Sequence, residues 1–363
     1  MSENALKKHK EPFVRIAKRT DISPKRAWIV RIIAILLALF VGGIIIRSLG
    51  HNPFAVYKEL VRGSLAAPTA RRETIKTMVP LLGAAIAIAP AFRMKFWNIG
   101  AEGQILAGAI GATYFALFHS DLPHVTLLIV MFIAAAVCGA VVGLIPALFK
   151  AKWGTNETLF TLMLNYIILG FVKYLMNGPW KEPTSGFPKI AMFGAEAKLP
   201  KVLGVHIGWI VILAFAVLMY FYMTKSKQGY EIAVVGESEK TAKYAGMNVS
   251  KIIIRTMLIS GAIAGMVGFF SVSGANYTLN ENTAGGVGFT AITVAWLSKL
   301  NPFVMIGISF GLSVLSKGSN TIQTAFKIPK SVAEIITGMI LLFILGCEFF
   351  INYRLVFRGK KGE

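Results

Sequence analysis

The sequence predicts an all-α fold: a polytopic transmembrane helical bundle of about ten spans, one of them short or broken. Three observations carry that expectation. Hydrophobic residues make up 55% of the 363-residue chain and charged residues only 15%, whereas soluble domains carry roughly a quarter charged residues. The mean hydropathy is +0.64. The apolar residues gather into runs of about 20, the length at which a helix spans the hydrocarbon core of a bilayer.

The elements follow in order. Residues 1–27 form a basic arm with Lys7, Lys8, Lys10, Arg15, Lys18, Arg19, Lys25 and Arg26. It is too long and too charged for the n-region of a cleavable leader. It reads either as an amphipathic helix on the inner leaflet or as a solvated tail. The membrane domain is expected over 28–350. Its apolar runs cover 28–46, 74–94, 99–118, 124–149, 157–176, 207–224, 252–275, 284–298, 302–324 and 332–350. The eighth opens with Gly285-Gly286-Val287-Gly288 and is short. Such a broken or re-entrant segment survives at membrane depth only when it is buried in protein or lines water. A basic tail, 351–363, closes the chain.

Ten crossings put both termini on one side. The positive-inside bias puts that side in the cytoplasm, because the arm, the tail and most inner loops are basic. Two outer loops run against it. The 47–73 loop holds Arg47, Lys58, Arg62, Arg71 and Arg72, and the last connection holds Lys317, Lys327 and Lys330. Within 47–73, Val56, Tyr57, Leu60 and Val61 stand at helical spacing, which predicts a short amphipathic helix on the outer face. The long 177–206 loop, with Trp180, Phe187 and Phe193, serves either as a partner surface or as a cap. Gly139/Gly143, Gly261/Gly265 and Gly307/Gly311 permit close helix approach. Cys138 and Cys347 lie inside apolar runs and read as small core residues. The formal net charge of +21 fits loops against anionic lipid. No basic stretch is interleaved with base-stacking aromatics, so nucleic acid is excluded as a partner.

The most informative string is Phe96-Trp97-Asn98-Ile99-Gly100-Ala101-Glu102-Gly103-Gln104, set between two apolar runs. It places two amides and a carboxylate at or inside a membrane boundary, near the cytoplasmic side. A carboxylate there is costly to desolvate and is rarely kept without a use. The string implies either a wet cavity for a polar solute or a hydrogen-bonded knot between helices. Asn165 in the fifth run is a further polar candidate, with Trp97 and Phe289 as ring contacts. Asn156 and Glu157 read as an N-terminal cap. In the cytoplasmic loop 225–251, Gly236 and Gly246 bracket an expected helix, Glu237–Ala245. Its acidic residues sit near its start and Lys243 near its end, as the helix dipole favours. Ala242, Tyr244 and Ala245 give it a small apolar side. Such a helix either docks in a cytoplasmic partner or simply connects two spans.

Several strings in order carry a family resemblance. They are Asn52-Pro53, Pro80-Leu81-Leu82-Gly83, Asn98-Ile99-Gly100-Ala101-Glu102-Gly103-Gln104, Leu162-Met163-Leu164-Asn165-Tyr166, Ser260-Gly261-Ala262 and Gly288-Phe289-Thr290-Ala291-Ile292. Across about 30–350 the chain resembles the permeases of ABC importers for ribose, branched-chain amino acids and nucleosides. It is most similar to the nucleoside branch that works with a basic-membrane-protein-type lipoprotein. Trp97 stands where that family often has a smaller or Phe-like residue, and the 47–73 loop is more basic than its pattern.

The resemblance implies a bacterial cell-membrane protein and a second permease subunit, either a paralogue or a second copy. It also implies a cytoplasmic ATPase with two nucleotide-binding units and an extracytoplasmic substrate-binding lipoprotein. No cofactor is expected on this chain; ATP and magnesium would bind the partner ATPase. Glu237, Glu239, Lys240, Lys243, Tyr244 and Gly246 would then form the coupling segment. The sequence contains no Gly-x-x-x-x-Gly-Lys-Ser/Thr phosphate loop, so a transport subunit rather than an enzyme is expected, with no catalytic or metal residues. A simple-sugar permease is the near alternative. An ion-coupled transporter would place more ionisable groups within spans, whereas the two Asp residues, Asp21 and Asp121, lie outside them.

Overall fold

The computed structural model describes residues 14–18 and 23–357. Thirteen α-helices and four short strands occur among them. Eight helices are long and apolar enough to cross a membrane. The chain divides into two compact units, one of residues up to 58 together with 322 onward, the other of residues 59–321.

In the first unit, α1 (Pro24–Ser48) lies beside α13 (Lys330–Asn352). Ala34, Cys347 and Ile351 form their buried seam. Arg31 on α1 reaches Glu348 on α13 at 2.5 Å. The Tyr57 hydroxyl donates to the Leu39 carbonyl at 2.7 Å, and the ring passes over Gly42, where a Cβ would meet that hydroxyl. Strand β1 (Val14–Lys18) pairs antiparallel with β4 (Tyr353–Phe357). The helical alternative for the basic arm therefore fails at 14–18. Lys7, Lys8, Lys10, Arg19, Arg358, Lys360 and Lys361 lie outside the described residues.

The second unit contains α3 (Pro68–Arg93), α4 (Ala101–Phe118), α5 (His124–Trp153), α6 (Glu157–Asn177), α7 (Gly208–Lys225) and α10 (Val249–Phe269). The last continues as a wider π-helical turn over Phe270–Asn276. Helix α2 (Pro53–Leu65) follows the predicted amphipathic pattern through buried Val56 and Leu60, although Val61 is exposed. Helix α3 is the most enclosed of the candidate spans. The centre is made by α4, α5 and α10, whose backbones touch. A Cβ at Gly108 would overlap Gly265, and one at Gly139 would overlap the Gly261 carbonyl. Small residues allow this approach, and dispersion between helices in lipid rewards it. The predicted pairs Gly139/Gly143 and Gly261/Gly265 are used in this way. Gly307 and Gly311, on α12 (Pro302–Phe326), face nothing within 4 Å, so that expectation is not met.

One end of this unit carries Arg93, which donates to the Met223 carbonyl at 2.7 Å. The opposite end carries the 178–207 loop and the small hairpin of β2 (Lys201–Val202) with β3 (Val205–His206). There Phe193 donates to the Tyr277 carbonyl and Leu199 to the Ser273 carbonyl. The short eighth run is helix α11 (Val287–Leu297). Its 11 residues rise about 16 Å, about half of a ~30 Å hydrocarbon core. Residues 277–286, which precede it, contain no helix. Cys138 and Cys347 are free thiols. Lys173 on α6 pairs with Glu281 at 3.2 Å.

Candidate functional site

The 94–100 segment does not stay at the end of the bundle where α3 stops. It climbs back into it, so α4 begins at half depth. Asn98 reaches Ser260 of α10, 11 residues or about 16 Å along that helix. The string expected near the cytoplasmic boundary is therefore at mid-bundle.

Its polar groups are bonded to protein. The Asn98 amide nitrogen donates to Gln104 Oε1 and Ser260 Oγ, both at 3.2 Å. Asn98 Oδ1 accepts from Gly100 N–H at 3.0 Å and from Gln104 Nε2 at 3.2 Å. Asn98 is fully buried and Gln104 nearly so. Asn165 on α6 accepts from Gly103 N–H at 2.8 Å and donates to the Ile99 carbonyl at 2.9 Å. One turn earlier on the same face, Thr161 accepts from Ile99 N–H at 3.2 Å and donates to the Glu157 carbonyl at 2.7 Å. Thr161 was not singled out from sequence, and Ser260 entered only within the string Ser260-Gly261-Ala262, not as a site residue. Thr161 stands four residues before Asn165, the spacing that shares a helix face. Buried amides paired this way rigidify a junction, and each would be costly if left unpaired.

Glu102 faces elsewhere. Gly286 N–H donates to its Oε1 and Gly288 N–H to its Oε2, both at 2.7 Å. The carboxylate thus sits on the N-terminus of α11, where unpaired amides and the helix dipole favour an anion. From there α11 runs back to the Arg93 end, where Arg93, Tyr220 and residues 299–302 line one cavity.

Along the open side of α11 lie Phe289 and Trp296, 42% and 45% exposed. The Trp296 ring stacks on Trp97 with centroids 5.5 Å apart and planes inclined by 27°. Phe92 touches both rings, at 5.7 and 6.0 Å. Trp97 is also 45% exposed. The structure therefore separates the predicted site residues into two groups. Asn98, Gln104 and Asn165 are tied into protein, while Trp97 and Phe289 present surface. Trp296 joins the second group. Its sequence signal is weak, because it sits in an unbroken apolar run.

The expected helix over Glu237–Ala245 is the shorter α9 (Glu239–Tyr244), and a helix not expected from sequence, α8 (Lys227–Glu237), precedes it. Ser238 breaks them in an extended conformation, and its side chain caps α9 by accepting from Thr241 N–H. A serine that can cap a new helix competes with continuing the old one. Glu237 thus ends α8. Gly236 lies inside α8, against the Arg93 carbonyl. Gly246 ends α9 at φ +74°, the left-handed region that glycine adopts freely.

Helix α8 is held down by buried Ile232 and Val235, packed in a cluster with Ala91, Met94, Phe96 and Ile252. Arg255 of α10 bonds Glu231 at 2.9 Å. On α9 only Ala242 is buried; Glu239, Lys240 and Lys243 are exposed and Tyr244 is 93% exposed. The predicted apolar side of Tyr244 and Ala245 is thus open. Asn156 caps α6 as expected, accepting from Leu159 N–H at 3.1 Å, and Glu157 pairs with Lys150 at 2.9 Å. No cluster of three or more His, Cys, Asp or Glu able to hold a metal ion occurs among the described residues.

The profile of a family described as branched-chain amino acid transport system / permease component matches residues 73–345. The chain is 33% identical to the glucose ABC transporter permease protein of Haloferax volcanii, over 92% of this chain and 93% of that one. It is 31% identical to a nucleoside ABC transporter permease protein of Lactococcus lactis, over 88% and 91% of the two chains. It is 32% identical to a guanosine ABC transporter permease protein of Bacillus subtilis, over 87% and 92%.

Proposed function

The chain belongs to the permease-component family of the branched-chain amino acid transport system, and from that footing we propose that it passes nucleosides through a membrane as the permease subunit of an ABC importer. It is a multi-pass membrane protein and a transport component. The single observation that supports a nucleoside is the stacked pair of Trp97 and Trp296, with Phe289 further along α11. Half-open, preordered rings suit a planar heteroaromatic base, for which offset stacking is favourable by about 0.5–1.5 kcal/mol beyond area burial. Two relatives whose names specify a nucleoside or guanosine support the same class.

The solute moves by alternating access, driven by a separate cytoplasmic ATPase with two nucleotide-binding units that bind ATP and magnesium. A second permease subunit and an extracytoplasmic lipoprotein complete the assembly, with both termini of this chain cytoplasmic. In this reading α9 is the docking helix, with exposed Tyr244, Glu239, Lys240 and Lys243. Helix α8 carries the stroke to the ends of α3 and α10, against which it packs.

Uptake of labelled guanosine or adenosine into vesicles holding the complete complex tests the proposal. Competition by unlabelled nucleosides is expected. Competition by glucose or ribose but not by nucleosides would replace it with the sugar reading, which the glucose relative favours and which aromatic faces also serve. Glu239→Lys and Tyr244→Ala are expected to lower solute-stimulated ATP hydrolysis by about tenfold, as loss of an interface anchor does. Unchanged coupling would remove α9 from the docking surface.

A further inference from the structure

We propose that Glu102 is a positioning residue for transport. Its carboxylate holds the start of the half-helix α11 at mid-bundle and so aims the Phe289–Trp296 face toward the passing solute. The inference rests on the transport reading above but names a different element, a tethered half-helix between two turning points.

Four observations carry it. Both carboxylate oxygens are used on one target, the amides of Gly286 and Gly288, each at 2.7 Å. The contact is close as well as polar, since a Cβ at Gly288 would lie 2.8 Å from the Glu102 Cα and nearer still to its amide nitrogen. The other end of α11 is attached to the same short stretch of chain, through Trp296 on Trp97. Residues 97–102 and helix α11 thus run antiparallel and are joined at each end.

The fourth observation concerns the backbone on either side. Gly285 and Gly286 have φ of +60° and +77°, and Gly286 has nothing within 4 Å of the place a Cβ would take. Glycine is needed there for its backbone, not for space. Beyond the helix, Lys299 and Leu300 also lie in the left-handed region, at φ +51° and +61°. Two consecutive non-glycine residues in that conformation persist only when their surroundings hold them. Helix α11 is therefore bounded by a turning pair before it and a strained pair after it. Its N-terminal turn is anchored by a carboxylate in addition to the close packing of Gly288.

The chemistry selects a carboxylate of this length. A glutamine offers one acceptor oxygen and turns an N–H toward the second amide, leaving that donor unpaired. An aspartate is one methylene short of spanning both amides. A carboxylate at mid-depth is costly alone, and the helix N-terminus supplies the compensating partial charge.

Amide hydrogen exchange of the purified full chain in detergent, followed by mass spectrometry, tests this. In Glu102→Gln, exchange within 284–290 is expected to speed by about tenfold, the scale of one unpaired buried donor, with α5 and α10 unchanged. Glu102→Asp is expected to fall between Glu102→Gln and the native chain. Gly288→Ala, which keeps the carboxylate but pushes the helix off it, is expected to give the same local acceleration. In vesicles holding the complete complex, Glu102→Gln is expected to raise the KM for the solute more than it lowers the maximal rate.

Unchanged exchange in 284–290 would overturn the proposal, and so would an equal acceleration across α5 and α10, which marks a general structural role. The exchange experiment contains no solute, so a complex that imports something other than nucleosides leaves this test standing. Should Gly288→Ala fail to insert, the isosteric Glu102→Gln still decides the matter.

Discussion

The junction of α4, α5 and α10 and the half-helix α11 lie side by side in the same unit, yet they are held by opposite means. In the junction, glycines bring backbone onto backbone, and Asn98, Gln104 and Ser260 close their hydrogen bonds on one another. The polar side chains there, Asn98, Gln104 and Ser260, are all buried in protein. Helix α11 buries one face of small residues, Gly288, Ala291, Val294 and Ala295, is tied by a carboxylate at one end and a ring stack at the other, and keeps an open aromatic face. The lesson is that mid-bundle polarity serves two purposes in this chain. The amides close their hydrogen bonds within the junction, and the carboxylate meets the start of an element that presents surface.

Substitutions can break this contrast, beginning with the largest expected effect. Gly265→Val places a branched side chain where backbone of α5 already lies. Overpacking typically costs about 1–3 kcal/mol and more where backbone must move, so little membrane-inserted protein is expected on fractionation. Recovery at native yield would show that the junction is looser than its geometry. Asn98→Ala leaves Gln104, Ser260 and the Gly100 amide short of partners. A loss of about 2–3 kcal/mol is expected, read as a lowered thermal midpoint in detergent. A midpoint unmoved while uptake falls would return Asn98 to direct solute contact.

Trp296→Ala acts on the other side of the comparison. It should raise the KM for the solute about tenfold, near the upper range for an aromatic pair, with the midpoint almost unchanged. If stability falls instead, the Trp97–Trp296 stack is core rather than platform.

A separate, pH-dependent effect belongs to His206, at the loop end of the same unit. Its ring is buried beside Gly208 and Gly274, and its Nδ1 has no hydrogen-bond partner. Burial, and then the nearby Lys76 charge, push its pKa down from 6.5 to about 4. A histidine held neutral binds fewer protons folded than unfolded across that interval. Its contribution to stability is complete above pH 6.5 and is lost as the pH falls toward 4. The thermal midpoint should decline over that window, and His206→Gln should flatten the decline. An identical decline in the variant would assign it to other groups.

Much of this was legible in the residues. The ten apolar runs match α1, α3 to α7 and α10 to α13 to within a few residues, because desolvation of a helix is a property of its own composition. The break before α11 was legible in Gly285-Gly286-Val287-Gly288, and the cap of α6 in Asn156-Glu157. The Ser238 break was not, since a capping serine competes with helix continuation only when the flanking helices have their own packing. Here α8 is packed onto α3 and α10, whereas α9 is open.

The sequence by itself determined that the chain is a polytopic membrane protein, where its apolar helices lie, and that a polar string lies among them, although among the described residues eight rather than ten of those helices are long and apolar enough to cross. Those follow from local hydropathy, which each segment carries alone. Only the tertiary structure decided what the string does. Asn98 and Gln104 turned inward to each other and to Ser260, while Glu102, two residues before Gln104, reached across to Gly286 and Gly288. The partners lie 162 and 184 to 186 positions away in the chain. A hydrogen bond is set by distance and angle in space, and no local pattern records it.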